Sequence, residues 1–362
     1  MADLRLAGSF WILFLYDICE EIRVETLRAI LRVEPRREPA FRHPSPEYVR
    51  FERPPVVERI EPIVLSSGNR FQGELNYYEY GVVSLKLELP FDLDWPELID
   101  LSSRWIAAPE LEAAAAKTVR HAVKKVESAL VKPREDWLTE DYYIIQLKKS
   151  DASSLTADGL VEDHGSEIAK IVRGELADLS PGETADTLRS RMSYYPDDLL
   201  VVGWTAAFIY DTPEGAQPTI QLLEYANTQL LEFRYYDHML SRLLQDVYGS
   251  LEKKTGTFAR WRLSSQAQSL NRIRLDIREL TERVDTSIKF LSDMFSARLY
   301  HLAAAKVGAE DYRQLVDSKL KTAGELYEFM VAQFHESRNF TMELIVIIIL
   351  IIDLVFLFRG KG

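Results

Sequence analysis

Hydrophobic positions change their rhythm along this chain. Phe10–Tyr16 (FWILFLY) is apolar without interruption, the pattern of a buried strand. Within Glu20–Leu31, the residues Ile22, Leu27, Ile30 and Leu31 recur at helical spacing and predict a helix. Residues 32–59 then hold Pro35, Pro39, Pro44, Pro46, Pro54 and Pro55, which predicts a connector without regular structure. Val82–Leu89 alternates. Val83, Leu85, Leu87 and Leu89 share one face while Ser84, Lys86 and Glu88 share the other, so a half-buried antiparallel strand is expected. Pro96 and Pro109 open two helices. The second carries Lys117, Arg120, His121, Lys124 and Lys125 as a solvated basic stripe. Tyr142–Leu147 reads as a further strand. The order predicts an α+β head over residues 1–150, of ferredoxin-like β-α-β-β-α-β type.

Residues 151–215 read as a second mixed segment packed on the head. A helix is expected around Ser166–Leu176. The apolar run Leu199–Tyr210 has Gly203 in its middle, the mark of a kinked strand or of two strands. From Pro218 onward the period becomes helical. Leu223, Ala226, Leu230, Phe233, Leu240, Leu244 and Val247 form one stripe, Leu270 to Phe295 a second, and Val316 to Phe334 a third. These stripes predict long antiparallel helices, a coiled-coil bundle or stalk over residues 216–340.

The last segment is different again. Nine consecutive Leu, Ile and Val residues (344–352) are followed by Asp353 and five more apolar residues. At about −0.3 to −0.6 kcal/mol each, fourteen apolar residues sum to roughly −4 to −8 kcal/mol, against about 3 kcal/mol for the acid. A transmembrane helix over 341–359 is therefore expected, with Glu343 near one interface and Arg359 and Lys361 at the other. That places the bulk of the chain in the cytoplasm, tail-anchored by a single span, with membrane lipid as a partner.

Composition narrows the function classes. The 362 residues suggest more than one domain. Lys+Arg number 44 and Asp+Glu 56, a net charge of −12 that argues against general nucleic-acid binding. The one cysteine, Cys19, excludes an intramolecular disulfide and a Cys-type structural zinc site. The six histidines form no HExxH pair, and the sequence has no GxxxxGK[ST], strand-linked GxGxxG or GxSxG. No catalytic, cofactor-binding or metal-ligating residue is assigned, and the chain is not expected to be an enzyme.

Two polar features stand out. Glu224, Asn227, Arg234 and His238 share one side of a helix, with Asp237 in its apolar seam. This set is either a site whose carboxylates meet a cation or a hydrogen-bonded network that holds helix register, with Asp237 paired to an arginine such as Arg272 or Arg274. Asp353 inside an apolar run is either a contact between identical helices or a cation ligand in an oligomeric pore.

The tail also resembles a known family. Leu326-Tyr-Glu-Phe-Met330, His335-Glu-Ser-Arg338 and Glu343 to Phe356 are similar to the C-terminal signature of the required-for-meiotic-nuclear-division family, with Arg338, Glu343 and Asp353 at its three polar positions. The resemblance implies a membrane-anchored protein that assembles into homo-oligomers, with no established reaction. The expectation is a self-associating scaffold. The alternatives are an oligomeric cation pathway through Asp353 and an enzyme without a recognisable motif.

Overall fold

The structure is a computed structural model that describes residues 5–33, 54–106, 108–149, 155–252 and 294–326, with isolated positions beyond. Its centre is an eight-stranded sheet. The strands are β1 (Leu6–Ile22), β2 (Val56–Val64), β3 (Arg70–Tyr77), β4 (Val82–Leu93), β5 (Leu130–Lys148), β6 (Arg191–Met192), β7 (Leu199–Val202) and β8 (Ala206–Asp211). They lie in the order β2-β3-β4-β1-β5-β8-β7-β6. β5 and β8 run parallel, and every other neighbouring pair is antiparallel.

The apolar run at Phe10–Tyr16 is the middle of β1, which pairs with β4 on one side and β5 on the other. Its period of two serves both faces. Phe10, Ile12, Phe14 and Tyr16 enter one core with Leu85, Leu87, Tyr143 and Ile145. Leu13 and Leu15 enter a second core with Tyr142, Ile144 and Ile209. The first core is closed by helices α1 (Val24–Leu31), α2 (Trp95–Trp105), α3 (Pro109–Lys125), α4 (Ala157–Arg173) and α5 (Pro181–Leu188). The second is closed by α6 (Pro213–Glu252) and α7 (Met294–Lys306).

One turn requires glycine. Gly81 closes the β3–β4 hairpin at φ +95°, in the region L side chains rarely adopt, and a Cβ there would collide with the carbonyl of Cys19. Its own carbonyl accepts from Ile18 N at 3.0 Å, so the turn is stitched to β1.

The chain divides into two compact units. Met1–Tyr235 with Glu282–Tyr312 makes the first; Tyr236–Thr281 with Arg313–Gly362 makes the second. The whole sheet belongs to the first. In the second, Leu244, Val247 and Ala323 form a small core.

Three expectations are corrected. The head is not ferredoxin-like: β2 and β3 add to one edge, and the run Leu199–Tyr210 splits into β7 and β8, so residues 1–150 and 151–215 share one sheet. Strand β2 escaped notice because its prolines, Pro54, Pro55 and Pro62, sit at its start and on a sheet edge, where no ladder donor is needed. No long coiled-coil bundle is present among the described residues. Helix α6 buries Ile220, Leu222, Leu223, Tyr225, Ala226, Leu230, Leu231 and Phe233, a flank too broad for a two-position seam, and lays it on the sheet. A 3-4 spacing announces a buried helix flank but not whether a helix or a sheet covers it.

The membrane assignment is corrected as well. Among the described residues no helix is long and apolar enough to cross a membrane, so the single-pass anchor, the tail-anchored topology and the placement built on them are not supported. Residues 341–359 lie outside the described residues apart from Ile347 and Ile349, helical positions about half exposed.

Candidate functional site

The polar set expected on one helical side is divided by the fold. Glu224, Asn227 and Arg234 belong to the first unit, whereas Asp237 and His238 belong to the second. Glu224 is 1% exposed and faces the sheet. Its Oε1 accepts from Asn76 Nδ2 at 2.7 Å, and the Tyr78 hydroxyl donates to it as well. Burial first, and then the Glu224 charge, push the Tyr78 phenol well above the usual tyrosine range. One turn on, Asn227 Nδ2 donates to the Leu223 carbonyl at 2.8 Å. Thr228 meets the Tyr80 hydroxyl at 2.7 Å, and Gln229 also hydrogen-bonds Tyr80. Arg234 reaches β5 and pairs with Glu140. Beside it, Arg134 pairs with the fully buried Asp17 and stacks 3.6 Å from the Tyr235 ring.

In the second unit Asp237 pairs with Lys319, whose Nζ also donates to Ser241 Oγ at 2.7 Å. The arginine partner considered for Asp237 is therefore a lysine. His238 is exposed and stands apart from this pair's hydrogen bonds. Arg338, Glu343 and Asp353 lie outside the described residues. So does the greater part of the tail whose resemblance implies lipid contact and self-association.

A second feature was not anticipated from sequence. A shallow, open cleft lies beside β7 and β8, where α6 begins and α7 passes. Tyr194, Tyr195 and Phe295 form its aromatic wall. Tyr194 meets Phe295 edge-on at 5.0 Å and Tyr195 edge-on at 4.7 Å, and the two tyrosines remain 44% and 49% exposed. Asp198 stands beneath them, its oxygens accepting from Tyr194 N at 2.7 Å and Tyr195 N at 2.8 Å. Across the cleft, Asp211 Oδ1 accepts from Thr212 N at 2.6 Å, and Thr212 Oγ1 caps α6 by accepting from Gly215 N at 3.0 Å. No Lys, Arg or His is among the lining residues. Lys149 lies near but is paired with Asp197. The signal for this wall is Tyr194-Tyr-Pro-Asp-Asp198, a turn sequence that leaves two aromatic rings about half exposed.

The family model for the uncharacterized protein MJ0711, N-terminal domain, matches residues 7–217, more than half of the chain. The chain belongs to the MJ0711 N-terminal domain family. A curated relative, the uncharacterized protein MJ0711 of Methanocaldococcus jannaschii, is 19% identical over 198 residues, which cover 55% of this chain. The chain spans 61% of the length of that relative. No solved structure matches. The span matched by the MJ0711 N-terminal domain contains all eight strands and most of the cleft's β7–β8 side. Glu224 and Asn227 on α6, and the α7 wall with Phe295, lie beyond it.

Proposed function

We propose that the protein acts by binding rather than by catalysis, as a scaffold whose sheet domain captures a cationic group in the cleft beside β7 and β8. The observation that carries this reading is the lining: four aromatic rings (Tyr194, Tyr195, Tyr210 and Phe295) and two carboxylates (Asp198 and Asp211), with no cationic side chain among them. A ring face attracts an ammonium or guanidinium by about 0.5–2 kcal/mol, more as water is excluded. Each ionised carboxylate offers about four lone-pair sites. Asp198 uses two of them on main-chain N–H groups, which fix its charge in place and leave the rest for a ligand. The net charge of −12 adds attraction for a cation at long range. An arginine or lysine side chain next to an apolar residue, as in a basic peptide, fits both walls.

The test is calorimetric titration with acetyl-Phe-Arg-amide and with its neutral isostere, in which citrulline replaces arginine. The arginine peptide should bind at least tenfold more tightly, and the double variant Tyr194→Ala, Tyr195→Ala should erase the difference. Equal affinity for the two peptides, or an unchanged preference in the double variant, overturns the reading.

A further inference from the structure

Helix α6 and the β3–β4 hairpin enclose a second set of groups, separate from the cleft. On the sheet, Asn76 of β3 and Ser84 of β4 are register partners on the face that α6 covers. Such opposed residues bring their Cβ atoms within about 4.5–5.5 Å. On the helix, Glu224 and Asn227 are neighbours at i, i+3. All four residues are at most 4% exposed. Asn76 spends its nitrogen on Glu224, and Asn227 spends its nitrogen on Leu223. The oxygen of each amide, and the Ser84 hydroxyl, have no hydrogen-bond partner among the described residues. Among the described residues, the hydrogen bonds that reach Glu224 come from neutral groups, the Asn76 amide and the Tyr78 phenol, while Lys86, two residues from Ser84, is paired with Glu74.

Buried acceptors of this kind are seldom left without a donor or a cation. A buried carboxylate hydrogen-bonded by neutral groups is costly to desolvate unless a positive charge answers it. Asn76 and Asn227 offer carbonyl-type oxygens and Ser84 a hydroxyl, and hard cations take ligands of these types. One carboxylate balances one positive charge; a doubly charged ion would leave one unit of charge buried without an answer. We infer that Glu224, Asn76, Ser84 and Asn227 form a site for a monovalent hard cation, sodium or potassium, that ties α6 to the sheet.

The experiment is thermal denaturation of the full chain at constant ionic strength, replacing choline chloride by sodium chloride or potassium chloride. A saturable rise in Tm with one of the two alkali ions is expected. In Ser84→Ala, which removes an oxygen without a hydrogen-bond partner among the described residues, the half-saturating concentration should rise at least tenfold while the fold is retained. In Glu224→Gln the dependence should vanish. A Tm indifferent to the exchange of choline for both alkali ions would mean that no alkali ion joins the cluster, and it overturns the inference. Stabilisation by calcium or magnesium alone overturns it too, as does an alkali-ion response unchanged in Ser84→Ala.

Discussion

Cys19 shows how position overrides chemistry. It lies at the irregularity in the β1–β5 ladder, fully buried, with Sγ donating to the Glu21 carbonyl at 3.3 Å. Burial pushes its thiol up to about 12, opposed in part by hydrogen bonding to the main chain. The thiolate is the nucleophile, so iodoacetamide at pH 8 should leave native protein unlabelled and label it fully in denaturant. Rapid labelling of the native chain, read by mass spectrometry, would show that β1 opens there. The linkage has a definite sign. The folded thiol holds its proton more tightly than an unfolded one of pKa 9.0, so this contribution to stability is complete below pH 9 and is lost as pH rises toward 12. None of this is legible from a lone cysteine in a sequence. Asn76 and Ser84 were equally hidden, because a polar residue on an alternating strand reads as solvent-facing until a helix is placed over it.

Strand β4 makes the same point over a longer stretch. Its alternation is real, but Ser84 and Lys86, on the face expected to meet water, are 0% and 6% exposed. Lys86 is accommodated by Glu74 at 2.6 Å and by the Trp11 ring at 5.7 Å. Local signals fared better where the cause is local. Pro96 marks the start of α2, and Asp94 and Glu97 close a reciprocal cap there, at 2.8 and 3.0 Å between each side chain and the other's main-chain N–H. Replacing Asp94 by Ala should destabilise the protein by about 1 kcal/mol, measured by urea denaturation. No loss would mean that Glu97 and solvent satisfy the helix end unaided. Gly203 likewise punctuated its apolar run as expected. Its N–H donates to Ala206 O at 2.8 Å in the β7–β8 turn, and a Cβ there would strike Val172.

The first unit holds two extensive cores on opposite faces of one sheet, whereas the described core of the second rests on Leu244, Val247 and Ala323. Buried apolar area of such different extent predicts different opening free energies. Native-state hydrogen exchange should find amides of β1 and β5 slowest, and those of residues 237–247 and 316–326 exchanging at lower denaturant. Simultaneous exchange of both sets would show a single cooperative unit.

The sequence alone was sufficient for what depends on neighbours along the chain: the apolar middle of the central strand, the break at Gly203, the helix starts marked by Pro96 and Pro109, and the acidic balance. The partner of each apolar face came from the fold. Periodicity records that a face is buried, while long-range pairing decides what buries it. That is why an α6 stripe read as a coiled-coil seam lies on a sheet, and why β2 through β8 form one sheet rather than two segments. It is also why Asn76 and Glu224, 148 residues apart in the chain, meet in one buried place.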